Sequence, residues 1–121
     1  ILLIAEQMPR FPGCESQGLS EAEIKKCSES ALMKFLRDHL KYPTIAAENK
    51  IEGMVVLRFV VYEDGSINGV TIVKDIGGGC GQEAQKVVRL MNELDEKWTP
   101  GKQRGRPVKV MYTLPVKFQL N

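Results

Sequence analysis

The sequence predicts an α+β domain in which a small antiparallel sheet is covered by helices, and three observations carry that prediction. Leu32, Phe35, Leu36 and Leu40 recur at helical spacing and form one apolar stripe. Residues 54–62 and 67–76 are two runs rich in β-branched residues on either side of Glu63-Asp64-Gly65-Ser66, the pattern of a hairpin. Val108, Val110, Tyr112, Leu114, Val116, Phe118 and Leu120 alternate strictly with Lys109, Met111, Thr113, Pro115, Lys117 and Gln119. That alternation describes one long strand with a buried face and a mostly solvated one. The implied order is helix, short helix, strand, strand, helix, strand, and elements so arranged bury their apolar faces as a sheet with helices laid across it.

In chain order, residues 1–19 read as an irregular lead-in, because Pro9, Pro12, Gly13 and Gly18 break any regular helix there. The domain proper runs over residues 20–121. Ser20 is a good N-cap, Glu23 three residues later completes a capping box, and Leu19 and Ile24 stand at the positions of a hydrophobic staple. Pro43 ends the helix, since the residue before a proline is pushed out of the helical region. As an N1 proline it also opens a short second helix to about Glu48. In the first strand Val55, Leu57, Phe59 and Val61 share one face, and in the returning strand Val70 and Ile72 do so. Three glycines at 77–79 stop that strand. Ala84, Val87, Val88 and Met91 then repeat at i, i+3, i+4 and i+7, marking an amphipathic helix packed on the sheet. Residues 98–107 read as a loop. No internal repeat or low-complexity tract interrupts this order.

The composition bounds the function. A chain of 121 residues with 43% hydrophobic and 26% charged residues is an ordinary globular domain with room for one core. A net charge of +2 on scattered lysines and arginines is not the concentrated basic face that nucleic acid requires, and no interleaved aromatics offer a base-stacking surface. No stretch approaches the ~18 apolar residues that span a bilayer. Residues 1–4, Ile-Leu-Leu-Ile, are too short for a signal peptide and lack an initiator Met. The expectation is a piece of a longer protein with any membrane anchor upstream.

Most residue groups of the types that carry chemistry lack the spacing it needs. The Gly77-Gly78-Gly79-Cys80-Gly81 run lies between a strand and a helix, where phosphate loops sit. It lacks the lysine and hydroxyl of a P-loop and the spacing of a dinucleotide fingerprint, so it reads as a flexible turn. Cys80 near a helix N-terminus, with His39 as base, would make a thiol enzyme. A small buried cysteine and a boundary histidine are the favoured account. Three cysteines and one histidine meet the ligand count for zinc but not the C-x-x-C spacing. A disulfide between Cys14 and Cys27, leaving Cys80 as a thiol, is the better use, since it closes a short polar loop that little else pins. Lys97, Lys102, Arg104 and Arg106 gather at a loop and read as its solvated tip rather than as a patch for an acidic partner. No catalytic residue, metal or cofactor is expected.

What remains is a site made of backbone. Pro115 interrupts the last strand, and a proline there removes a ladder donor, which places the strand at a sheet edge. A long edge offers unpaired amides and carbonyls. It is either a rail for a partner strand or an edge guarded by Lys109 and Lys117 with nothing bound; these readings are close to even.

Several segments tip that balance by resemblance. Met8-Pro9-Arg10-Phe11-Pro12-Gly13, Lys41-Tyr42-Pro43 with Ala46 and Gly53, Phe59-Val60-Val61 with Asp64-Gly65-Ser66-Ile67, Glu83-Ala84, Trp98-Thr99-Pro100-Gly101 and Leu114-Pro115-Val116-Lys117-Phe118 stand in order. Together they resemble the TonB C-terminal domain family in its Bacteroidetes-like form. The resemblance implies a two-layer sandwich with a three-stranded antiparallel sheet packed against helices, non-enzymatic and periplasmic. It also implies an inner-membrane anchor and a motor complex met through regions outside this chain. The partner would be the TonB box, a peptide of an outer-membrane transporter for siderophores, cobalamin or glycans, added as a strand. That places partner binding on Lys109, Val110, Met111, Tyr112, Thr113, Leu114 and Pro115. If the strand is regular, Lys109, Met111 and Thr113 share the parity of Pro115 and turn their backbone groups outward. The sequence departs from the family pattern between Gly13 and Ala31, where a polar insertion carries the capping box and Cys14 and Cys27. A TolA-like scaffold or signalling domain on the same fold is the alternative of another class.

Overall fold

The structure is a computed structural model that describes residues 1–15 and 18–120. Ser16 and Gln17 of the lead-in, and Asn121, lie outside the described residues. Helix α1 spans Glu21–His39, α2 Thr44–Glu48, β1 Gly53–Val61, β2 Ile67–Lys74 and α3 Cys80–Leu90. A 3-10 turn at Met91–Glu93 follows, and then β3 Gly101–Gln103, β4 Arg106–Val108 and β5 Val110–Phe118. The main sheet is three-stranded and antiparallel in the order β2-β1-β5, so β5 is an edge. The fold is the mixed helix and antiparallel sheet expected from the sequence.

Local chemistry explains where each element begins and stops. The capping box closes α1: Ser20 Oγ accepts from the Glu23 amide at 3.3 Å, and Glu23 Oε1 accepts from the Ser20 amide at 3.0 Å. Its stripe of Leu32, Phe35 and Leu36 is buried. Pro43 stands at the N-cap of α2 rather than at N1, one position earlier than expected. Strand β2 stops at Lys74, two residues short of the expected Ile76. The reason is Asp75, whose Oδ1 accepts from the amides of Ile76 at 2.8 Å and Gly77 at 3.1 Å and draws them out of the ladder.

The region 98–107 is not a plain loop. β3 and β4 form a two-stranded hairpin there. Arg104 and Gly105 sit between its strands with φ of 53° and 75°, the left-handed pair that a type I′ turn requires. For the same reason the last strand is not continuous from 108 to 120. Val108 pairs with Gly101 in the hairpin, and the sheet strand starts at Val110. Alternation hides this break, because both neighbours of Lys109 keep the period of two.

The core lies between the sheet face and the helices. Val55, Leu57, Phe59 and Val61 are all at 0% exposure, as is Val110, while Val70, Ile72 and Tyr112 are half-buried against the cluster. Its aromatic centre is Trp98, with Phe59, Phe11 and Tyr112 at 5.5, 5.8 and 5.2 Å between ring centroids. Phe11 draws the lead-in into this core. Residues 7 and 10 pair backbone to backbone with Lys102 and Thr99, so the segment is strapped along residues 99–102.

Candidate functional site

The outer edge of β5 is built by its pairing to β1. Nine successive partners, from Gly53 with Phe118 to Val61 with Val110, run without a register shift, so no bulge re-aims the strand near Pro115. In such a strand each residue turns its N–H and C=O to the same side, alternating along the chain. The contacts of residue 2 show which side is which. The Leu2 amide donates to the Lys109 carbonyl at 2.9 Å, and the Met111 amide donates to the Leu2 carbonyl at 2.8 Å. Lys109, Met111 and therefore Thr113 and Pro115 face away from β1. Val110, Tyr112 and Leu114 face it with their backbone and send their side chains to the core side. Beyond Leu2, no hydrogen bond among the described residues occupies the Met111 carbonyl or either backbone group of Thr113. Lys109 does not guard this edge, because its ammonium lies over the Tyr62 ring at 4.5 Å from the centroid.

A groove of about 640 Å³ runs beside the edge. Met111, Tyr112 and Thr113 form one wall, Ala22, Lys25 and Glu29 of α1 the other, and Leu3 with residues 6–10 one end. Burial pushes the Tyr112 phenol above its ordinary pKa, and Glu29 nearby adds to it. The α1 wall belongs to the polar insertion, which is tied down twice. Cys14 and Cys27 are joined by a disulfide with Cα atoms 6.1 Å apart, and Arg10 pairs with Glu15 at 3.1 Å and with Glu21.

The remaining candidates are not brought together. Cys80 is a buried free thiol, and burial, then Asp75, raises its pKa, opposite to what a nucleophile needs. His39 is exposed, stacks on Phe35 and bonds through Nδ1 to the Phe35 carbonyl. Two of the three cysteines are spent in the disulfide, and the described residues hold no cluster of His, Cys, Asp or Glu that fits a metal. The glycine run has no place for a phosphate, since Asp75 Oδ1 already accepts from the Gly81 amide in the first turn of α3 at 3.1 Å. Gly78 is there for packing: with φ of 66°, an added Cβ would lie 2.8 Å from that of Ala46. Lys97, Arg104 and Arg106 are exposed, while Lys102 pairs through its backbone with Gln7. Among the described residues no helix is long and apolar enough to cross a membrane.

Sequence reasoning missed residues 1–4 as a structural element. The signal was present: four consecutive large apolar residues are an odd run to leave in water, and an edge strand is what such a run can pair with.

Comparison with known proteins places this geometry. Residues 38–120 match the family model described as the Gram-negative bacterial TonB protein C-terminal. No curated protein matches. Two NMR solution structures of the Helicobacter pylori TonB C-terminal domain, a shorter and a longer form, share the fold. The shorter is 20% identical with a TM-score of 0.58, covering 75% of this chain and 91% of that one. The longer is 18% identical with a TM-score of 0.57, covering 91% of this chain and 96% of that one.

Proposed function

The chain belongs to the TonB C-terminal domain family, and from that premise we propose that it is the periplasmic binding end of an energy transducer whose β5 edge receives an outer-membrane transporter peptide, the TonB box, by strand addition. The observation that carries this reading is the unbroken β1/β5 register. It leaves the backbone of Lys109, Met111 and Thr113 facing outward in one straight row. Pro115, with no N–H, ends the row. Val110, Tyr112 and Leu114 take part through the core-side face of the same strand. An inner-membrane anchor and a motor complex, both engaged through regions outside this chain, would supply the energy for import.

Main-chain recognition makes a sharp test available. Met111→Pro deletes an outward donor and leaves the bonds to β1 in place. Calorimetry with a TonB-box peptide is expected to show a loss of about tenfold or more in affinity, as losing one or two ladder bonds implies. The thermal midpoint should move little. A folded Met111→Pro protein that binds as tightly as the native one excludes this edge.

A further inference from the structure

The edge proposed for the partner is already touched by the chain itself. Leu2 lies parallel to β5 opposite Val110 and takes both the Lys109 carbonyl and the Met111 amide. We infer that residues 1–4 are a stand-in strand, which covers the entry of the docking edge until an incoming peptide displaces it. This rests on the strand-addition reading above.

The geometry explains why the cover is replaceable. Between the Lys109 carbonyl and the Thr113 carbonyl the edge presents five outward groups: Lys109 C=O, Met111 N–H, Met111 C=O, Thr113 N–H and Thr113 C=O. Leu2 satisfies the first two. The chain then bends away at residues 3 and 4, so a longer strand in the same place gains the three groups left over. Little else holds the segment. Ile1, Leu3 and Ile4 are 73%, 69% and 81% exposed, so only Leu2, at 37%, buries most of its side chain in the covered state. The next anchors are the buried Ala5, the Glu6 amide, which donates to Gln103 Oε1 at 3.0 Å, and Gln7 on Lys102, all of which lie behind residues 1–4 and let them lift off without disturbing the strap. An edge free only part of the time binds its partner more weakly, its affinity scaled by the fraction of time it is free. Covering it also hides a flat pairing surface from other copies of the chain.

Leu2→Pro tests this, because it removes the amide that donates to Lys109 at a position that is 37% exposed and lies outside the core cluster. The probe is a TonB-box peptide titrated into the 121-residue chain, followed by calorimetry and by the backbone amide resonances of residues 1–4 and 111–113. The expected result is roughly three- to tenfold tighter binding by Leu2→Pro than by the native chain, as loss of one or two competing hydrogen bonds implies. In the native chain the resonances of residues 1–4 should move to random-coil positions as the peptide saturates. Equal affinities, with residues 1–4 unmoved at saturation and Met111→Pro still defective, would overturn the stand-in strand and leave the docking edge in place. Equal affinities with Met111→Pro also unimpaired would remove the docking edge and the stand-in together.

Discussion

The two edges of the same sheet are finished in opposite ways. The β2 pairing with β1 slips between Val56 and Leu57 and again between Arg58 and Val60, Gly69 has a φ of 62°, and the strand ends early at Lys74. Bulges of this kind twist an edge and spoil it as a template for another strand. β5 keeps nine partners in register and presents a regular row, covered at one end by two hydrogen bonds with Leu2, one donated and one accepted by it. Of the two edges, the regular one under its short cover is the one whose geometry suits strand addition. The β5 edge is also the one flanked by α1 and its disulfide.

The largest effect should come from the residue that joins the core to the β5 side. Phe59 is fully buried, its ring lies on Tyr112 at 5.4 Å and edge-on to Trp98 at 5.5 Å, and its register partner is Tyr112. Phe59→Ala is expected to cost about 3–5 kcal/mol in chemical denaturation. Hydrogen exchange should quicken more in β5 than in β2. A loss under about 1 kcal/mol would contradict this packing.

Replacing Cys14 and Cys27 together by serine releases the insertion that walls the groove. The chain-entropy account gives a loss of roughly 3 kcal/mol for a loop of this length. Thiol titration of the unreduced, denatured native chain should find one thiol per molecule, from Cys80; three would remove the crosslink. Peptide affinity should fall as well if the α1 wall contributes, whereas Val73→Lys on the β2 edge should leave it unchanged.

Ser20→Ala should cost about 1 kcal/mol, as loss of an N-cap does, and fray the start of α1. The same cap carries a pH dependence. The Ser20 backbone amide, then its hydroxyl, holds the Glu23 carboxyl below its ordinary pKa. A folded pKa below the unfolded one means that the stabilisation is present above the unfolded value and disappears as pH falls through the folded one. Acid melts of the native chain and of Glu23→Gln should therefore converge at low pH.

How much of this was legible in the sequence depended on whether a feature was local. The capping box, the β1 face and the parity of the last strand each depend on residues within a few positions of one another, and period and cap chemistry find them. The β3/β4 hairpin was hidden because Val108 and Val110 stay in phase across the break at Lys109, although Arg104-Gly105 was a usable turn signal. The placement of Leu2 on Val110 joins residues 108 positions apart. No local pattern reports such a contact; only the oddness of an apolar run at residues 1–4 hinted at it. The α1 wall was equally unreadable, because it follows from how the insertion folds back after the strap at Arg10.

The most direct test of the docking edge is amide hydrogen exchange, residue by residue, in the free chain and in the chain saturated with a TonB-box peptide. In the free chain the Met111 amide should be partly protected by Leu2 and the Thr113 amide should exchange fast. On binding, Thr113 is expected to gain protection, Met111 to become more protected, and the amides of β2 to stay as they were. Protection gained along β2, or none at Thr113 in a saturated complex, would show that the partner strand does not add to β5.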